Sequence, residues 1–460
     1  MNDGSQKLKR NLSFISMVAI ASGAVIGGWL AEAPYWFSVS GAGSAFIFPI
    51  LAILLVPVGL AFSELTAMLP FASAVDVWTT NAFGHKVGWA TQWMMFLVQV
   101  VEPPMMAFIF LTAVNFFIPI PANMAIPVAI SIVILWYILS NFDIKLTGIL
   151  ANIFFFSMVI ISLFVAIKFF GSGSWSMSNI TNHGGFFPKG FNGIFVAMAV
   201  FSLKFIGFEM TPTMIEETNF PARKMWIIIL SSLFIPATLY FIVVMALGGL
   251  APWDKIAGMS MPEPELVASL GLPAYIGIIA ILAGILHAFT TLMGFWVSSA
   301  RCLYGAAQLN QLPKMFMKVN RYGQPYICNL VILFFSIFFC LFTGDNWVQY
   351  IYAVSCIAAG LVYFMVCLDA MNLRKTHPEW ERPYRAPGGN PLLILGLFIS
   401  VWIIIGSILE LPFGGYVSLA IYFLIGFGLH LLMESYRNKY PKKYPLVILT
   451  PEDKGRMGTL

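Results

Sequence analysis

Among the ionisable side chains inside long apolar stretches are Glu32 in SGAVIGGWLAE, Glu102 in VQVVEPPMM, and Lys204 with Glu209 in FSLKFIGFEMTPT. A charge near the centre of a bilayer helix costs roughly 2.5–3.5 kcal/mol on insertion scales, so each of these residues asks for a function or a partner. Two of the stretches also weaken their own helices, with Gly23, Gly27 and Gly28 in one and Gly207 and Pro212 in the other. Glycine costs about 1 kcal/mol against alanine in a helix interior. A break in hydrocarbon is tolerated only where it lines a cavity or is buried in protein. It frees N–H groups that attract a carboxylate and carbonyls that attract an ammonium. The chemistry this suits is the non-covalent holding of a zwitterion. Val25, Gly27, Gly28 and Trp29 would supply donors, and Phe205, Ile206 and Gly207 would supply carbonyls. The bland alternative for the glycines is close helix approach through small residues.

The elements that must position these residues are membrane helices. Of 460 residues 59% are hydrophobic and 10% charged, with mean hydropathy +0.85. A soluble chain could hardly hide so much apolar surface. About 20 apolar residues span the hydrocarbon. Twelve stretches qualify, near 12–36, 43–69, 88–118, 123–140, 147–170, 190–215, 226–250, 273–307, 325–343, 347–371, 391–411 and 414–433. With loops assigned alternately from an inside N-terminus, only Lys168, Lys189 and Lys255 fall outside, and Lys204 falls within a span. The rest of the 25 Lys and Arg lie inside or at inner span ends. This fits the positive-inside rule and predicts a multi-pass protein of the cell membrane with both termini cytoplasmic. The net charge of +5 is then no nucleic-acid signal. The basic start of the chain is read as the flank of a retained first helix, not as a signal peptide.

The loops are short, and no soluble domain is large enough for separate chemistry. The outer stretch 251–272 has the look of a small lid helix. The five cysteines form no CxxC pair and the five histidines no ligand spacing, so neither disulfide frame, metal site nor cofactor is expected. Interruptions at matching places in two halves are the best sequence pointer to a transporter site. They predict an all-α integral membrane fold of about twelve helices. The inverted repeats would be 12–170 (helices 1–5) and 190–371 (helices 6–10), with helices 1 and 6 discontinuous. Two extra helices over 391–433 and cytoplasmic tails 1–11 and 434–460 complete it.

Four stretches resemble the amino acid–polyamine–organocation transporter superfamily, whose members share the 5+5 inverted-repeat fold of the bacterial leucine transporter. SGAVIGGWL resembles its glycine-rich first-helix break. FIGFEMTPTMIEETNFPARK resembles its sixth-helix motif. SSARCLYGAAQLNQLPKMFMKVNRYGQP resembles the end of its eighth helix and the following loop, and ERPYRAPGG the segment before its eleventh. They occur in the family's order across residues 22–389. Three departures stand out: Trp29 where a glycine is usual, Ser73-Ala74 in place of a glycine pair, and Lys204 in the sixth-helix motif. The resemblance implies a substrate cradled by helices 1 and 6 and enclosed by helices 3, 8 and 10.

The candidate substrate contacts are accordingly Ala24, Val25, Gly27, Gly28, Trp29, Gln99, Glu102, Met106, Lys204, Phe205, Ile206, Gly207, Phe208, Phe295 and Ser355. Candidates for proton or ion coupling are Glu102, Lys204, Glu209, Ser157, Thr290 and Thr291. Glu209 would sense protons or hold the broken helices together; its bland role is a buried acid bonded to freed N–H groups. Glu102 would meet a substrate amine, relay a proton or pair with Lys204. Lys204 would be the counter-ion of Glu102 or Glu209, bind a substrate anion, or fill a coupling cation's place. Trp29 would narrow the pocket, face a cation or point into lipid. Thr290 and Thr291 would coordinate sodium or bond back to their own helix. Ser157 stands near where some proton-coupled relatives carry lysine. Glu32 would line the access path, and Glu64 would be structural.

The function expected is secondary active transport of an amino acid or related amine by alternating access, by symport or antiport, with H+ the expected coupling ion. Alternatives are a polyamine or organic-cation antiporter and a non-transporting sensor of the same fold. A channel is disfavoured because the breaks lie in helices and not in re-entrant loops. An enzyme is disfavoured because no HExxH, phosphate loop or nucleophile with its base appears. The expected partners are the small-molecule substrate and the lipid bilayer; oligomeric state is left open.

Overall fold

The computed structural model describes residues 12–142, 144–343 and 346–454, so the tail over 1–11 and the last residues, 455–460, lie outside the described part. The described chain is all helical. Its helices are α1 (Phe14–Ile26), α2 (Trp29–Ser40), α3 (Ser44–Met68), α4 (Val75–Phe83), α5 (His85–Val100), α6 (Glu102–Phe117), α7 (Ala125–Ser140), α8 (Ile144–Phe170) and α9 (Ser178–Thr181). There follow α10 (Gly190–Val200), α11 (Met225–Gly248), α12 (Trp253–Ala257), α13 (Pro262–Ser269), α14 (Ala274–Gln308), α15 (Tyr326–Phe342), α16 (Trp347–Thr376), α17 (Gly389–Leu409) and α18 (Phe413–Lys439).

Among the described residues, ten helical segments are long and apolar enough to cross a membrane, and Phe14–Ile26 and Tyr326–Phe342 are shorter apolar helices. Helices lie on all twelve apolar stretches read from the sequence. The surface has a lipid-facing pattern: Ile160 is 66% and Ile167 68% exposed, whereas the carboxylates of Glu32 and Glu209 are wholly buried. Apolar side chains face outward where the solvent is hydrocarbon, and ionisable groups face one another inside.

Both predicted breaks are present. α1 stops at Ile26 and α2 starts at Trp29, with Gly27 at φ +57 between them. After α10 the chain tightens into 3₁₀ turns over Phe201–Phe205, extends at Ile206 and turns at Gly207 with φ +139. A second run of tight turns, Phe208–Glu217, follows. Both positive-φ positions need glycine, because a Cβ there meets its own backbone. The third apolar stretch is also interrupted: α5 ends at Val100, and Glu102 with Pro103 and Pro104 opens α6, where proline's missing N–H is harmless.

α1 lies between α8, α11 and α14, while α10 lies against α2, α3, α16 and α17. α3 runs along α11, and α6 along α14. The two breaks touch. A Cβ on Gly207 would come within 3.0 Å of the Val25 nitrogen, and one on Gly28 would collide with Ile109 on α6.

Candidate functional site

The break in the first helix exposes the carbonyl end of α1 to the amide end of α2. Tyr240 of α11 donates its hydroxyl to Val25 O at 2.8 Å and to Ile26 O at 2.6 Å. Thr291 of α14 donates to Gly23 O and Ala24 O at 3.1 and 3.2 Å. Thr290 lies 3.3 Å from Gly23 O and bonds its own helix at His287 O, 2.8 Å away. The two threonines thus use their hydroxyls on backbone carbonyls of α1 and α14.

On the other side of the break, the Gly28 N–H donates to Glu32 Oε1 at 3.3 Å. This carboxylate one turn into α2 sits where the helix dipole favours negative charge. Its Oε2 accepts the Tyr352 hydroxyl at 2.7 Å, and the Tyr352 oxygen in turn accepts Trp36 Nε1–H at 2.8 Å. Lys204 completes the cluster, with Nζ 2.6 Å from Glu32 Oε2 and side chains 1% and 0% exposed. The same ammonium lies against Gly27, where an added Cβ would collide with it. The rings of Trp36 and Tyr240 stand 5.8 and 5.6 Å from Nζ.

This corrects one expectation and removes one of the alternatives left open for Trp29. The counter-ion of Lys204 is Glu32, not Glu102 or Glu209, because the turn at Phe201–Phe205 carries the lysine toward the first break. Trp29 does not face lipid: it is 3% exposed, its indole N–H donates to Glu263 of α13 at 2.8 Å, and its ring meets that of His287 at 4.0 Å.

The profile of the amino acid permease family matches residues 12–430, nearly the whole chain. The chain belongs to the amino acid permease family. It is 28% identical to an uncharacterized transporter of Legionella pneumophila over 76% of this chain and 78% of that one. A branched-chain amino acid permease of Bacillus subtilis is 23% identical over 95% of both chains. A D-serine/D-alanine/glycine transporter of Escherichia coli is 26% identical over 70% of both. This permease is thus a membrane transporter of amino-acid- or amine-type small molecules, not an enzyme.

Within the permease, Glu102 and Glu209 meet neutral donors. Glu102 accepts Ser355 Oγ–H at 3.0 Å. Glu209 accepts the Gly207 N–H with both oxygens, at 2.8 and 2.9 Å, and the Tyr363 hydroxyl at 3.2 Å. Glu209 therefore braces the sixth-helix break from within. Gln99 accepts the Cys302 thiol at 3.3 Å, and Met106 and Phe295 are buried. Phe205 packs edge-on to Tyr240. Ile206 donates its N–H to Leu203 O, so that amide is not free for a solute. Phe208 turns away from Lys204 and stacks on Tyr363, with its edge toward Phe62. Ser157 is half-buried on α8, and its neighbour Met158 is the residue that reaches the cluster, through Thr290.

Two sets of contacts flank the site. On one side Glu263 holds Trp29. On the other, Leu12 exchanges backbone bonds with Glu217 and Asn219, Arg301 pairs with Glu217 at 2.9 Å, and Glu64 accepts Arg374 Nε–H and the Ala386 N–H, each at 2.8 Å. Sequence reasoning missed Tyr240, Trp36 and Glu263, and it placed Glu32 on the access path. A hydroxyl in the middle of an apolar stretch, and a carboxylate four residues past a glycine pair, were the available signals.

Proposed function

We propose that this permease moves its amino acid across the membrane by alternating access, with cargo held where the first and sixth helices break. The observation that carries this reading is the contact of the two breaks at Val25 and Gly207, with a buried ion pair beside them. An inverted repeat of the leucine-transporter type, with helices 11 and 12 added, accounts for which stretches pair. The first lies against the sixth, the second along the seventh and the third along the eighth, each the counterpart of the other in its half. The distribution of basic residues supports a cytoplasmic place for both termini in this reading.

Cargo carboxylate would meet the amide end of α2 at Gly28, and its ammonium would meet the carboxylate of Glu32. Glu102 and Glu209 are the proton-coupling residues in this reading: each is buried against neutral donors, so each can lose or gain a proton without breaking an ion pair. A polyamine or organic-cation antiporter is the second reading, favoured by those same two carboxylates.

A thermal-shift panel of amino acids, amines and polyamines on the detergent-solubilised protein names the cargo. Counterflow in proteoliposomes then tests movement. Amino acid uptake that is stimulated by an inward proton gradient, and loses its pH dependence in Glu209→Gln, is the expected result. Binding without exchange would leave a sensor, and uptake of amines alone would favour the antiporter.

A further inference from the structure

Several of the polar backbone atoms that the first break frees are already engaged by the protein itself. Tyr240, Thr290 and Thr291 take the carbonyls from Gly23 to Ile26, and Glu32 takes the Gly28 N–H. Beside these, a carboxylate at a helix N-terminus and an ammonium 2.6 Å away lie against the same glycines. A carboxylate and an ammonium at that separation are what an amino acid would bring. We infer that the Lys204–Glu32 pair is a tethered stand-in for the cargo zwitterion, so that the empty carrier closes and reorients and the protein performs net transport instead of obligatory exchange.

This rests on the proposed function and adds to it a transport mode and a specificity rule. An unfilled break in hydrocarbon leaves polar groups unsatisfied, at several kcal/mol each. Such a carrier closes only around cargo, which makes it an exchanger. Here Tyr240 and the two threonines engage carbonyls of the break, Glu32 engages the Gly28 N–H, and the charges of Glu32 and Lys204 cancel. Cargo enters by exchanging partners: its carboxylate takes Lys204 and the Gly28 N–H, and its ammonium takes Glu32. Two ion pairs then replace one, and neither protein charge is stranded. A ligand with only one charge strands the other member of the pair in a buried site, and breaking a buried pair in that way is strongly unfavourable. The pair therefore selects zwitterions over monoamines and monocarboxylates.

The test uses the full-length protein in liposomes and the labelled amino acid that gives the largest thermal shift. Uptake is measured into empty vesicles and into vesicles preloaded with the same amino acid. The wild type is expected to fill empty vesicles at a rate within about tenfold of exchange. In the double variant K204M/E32Q, which removes both charges and leaves no unpaired ion, the ratio of net uptake to exchange is expected to fall by a further tenfold or more, whatever the absolute rates. The decarboxylated amine and the deaminated acid of the same side chain are expected to compete at least about a hundredfold more weakly than the amino acid, the equivalent of roughly 2.7 kcal/mol.

Wild-type uptake that requires preloading overturns the inference, and so does an unchanged ratio in the double variant or an amine that competes as well as the amino acid. The first and third measurements need no variant, so a misfolded double mutant does not shelter the idea. A wild type that moves no amino acid in either mode removes the proposed function itself, and a carrier that exchanges but does not fill empty vesicles keeps that function and loses this inference.

Discussion

Lys204 and Glu32 meet at 2.6 Å between the two broken helices, one from each, with almost no exposure of either side chain. Both charges are out of water, so the pair is worth little against an apolar replacement, but either member alone is costly. Glu32→Gln is therefore expected to lower stability by about 3–5 kcal/mol, because Lys204 loses the carboxylate that neutralises it. Adding Lys204→Met to that variant is expected to restore most of the loss. Thermal denaturation in detergent of the two single variants and the double variant checks this. Losses that simply add would mean the two side chains are not coupled.

Gly27 sits at φ +57 with the Lys204 ammonium where its Cβ would be. Gly27→Ala combines a backbone conformation that L residues rarely adopt with a contact that must push the ion pair apart. The expected cost is on the order of 1–3 kcal/mol of stability, together with loss of the cargo-induced thermal shift. Gly428→Ala is the control, since nothing lies within 4 Å of a Cβ there. A Gly27→Ala protein that melts and binds like wild type would show that the break tolerates a side chain.

The helical stretches and the two breaks were legible because each has a local cause. Apolar length marks a membrane helix, and glycine or proline inside such a run marks an interruption. Lys204, Glu102 and Glu209 were legible as functional candidates because charge in hydrocarbon is costly. The partner of Lys204 was not legible. Glu32 lies 172 positions away, and only the tight turns at Phe201–Phe205 decide that the lysine points to the first helix and not to the third. Trp29 was ambiguous for the same reason: its role depends on Glu263, a residue of the short helix α13 that no periodicity ties to it. Ser157 was placed by analogy of position alone, and a one-residue rotation of α8 presents Met158 instead.

Glu64 accepts Arg374 Nε–H and the Ala386 N–H, and so binds α3 to α16 and to the segment that precedes α17. Glu64→Gln leaves the buried Arg374 without its carboxylate. The expected loss is about 3 kcal/mol or more, with faster proteolysis or hydrogen exchange across 381–389. Wild-type protection of that segment in the variant would reduce this contact to ordinary packing.

Glu263 lies outside the membrane-spanning segments, on α13, with its carboxylate 3% exposed and accepting Trp29 Nε1–H. Burial pushes its pKa from 4.5 up to about 7, with the hydrogen bonds from its own backbone and from Trp29 opposing the rise. A carboxyl with a raised value binds its proton more tightly in the closed form than in the released one. Its contribution to closure is thus fully present below its ordinary value and is lost as pH rises through about 7. Residues 262–269 are therefore expected to exchange their amide hydrogens more readily at pH 8 than at pH 6, after correction for the intrinsic rate. The opening free energy is expected to fall by an amount on the order of 1–3 kcal/mol. Glu263→Gln, which cannot ionise, is expected to keep the low-pH protection at both values. Protection that is flat with pH in the wild type, or that rises toward pH 8, would mean that this carboxyl is not what holds α13 over Trp29.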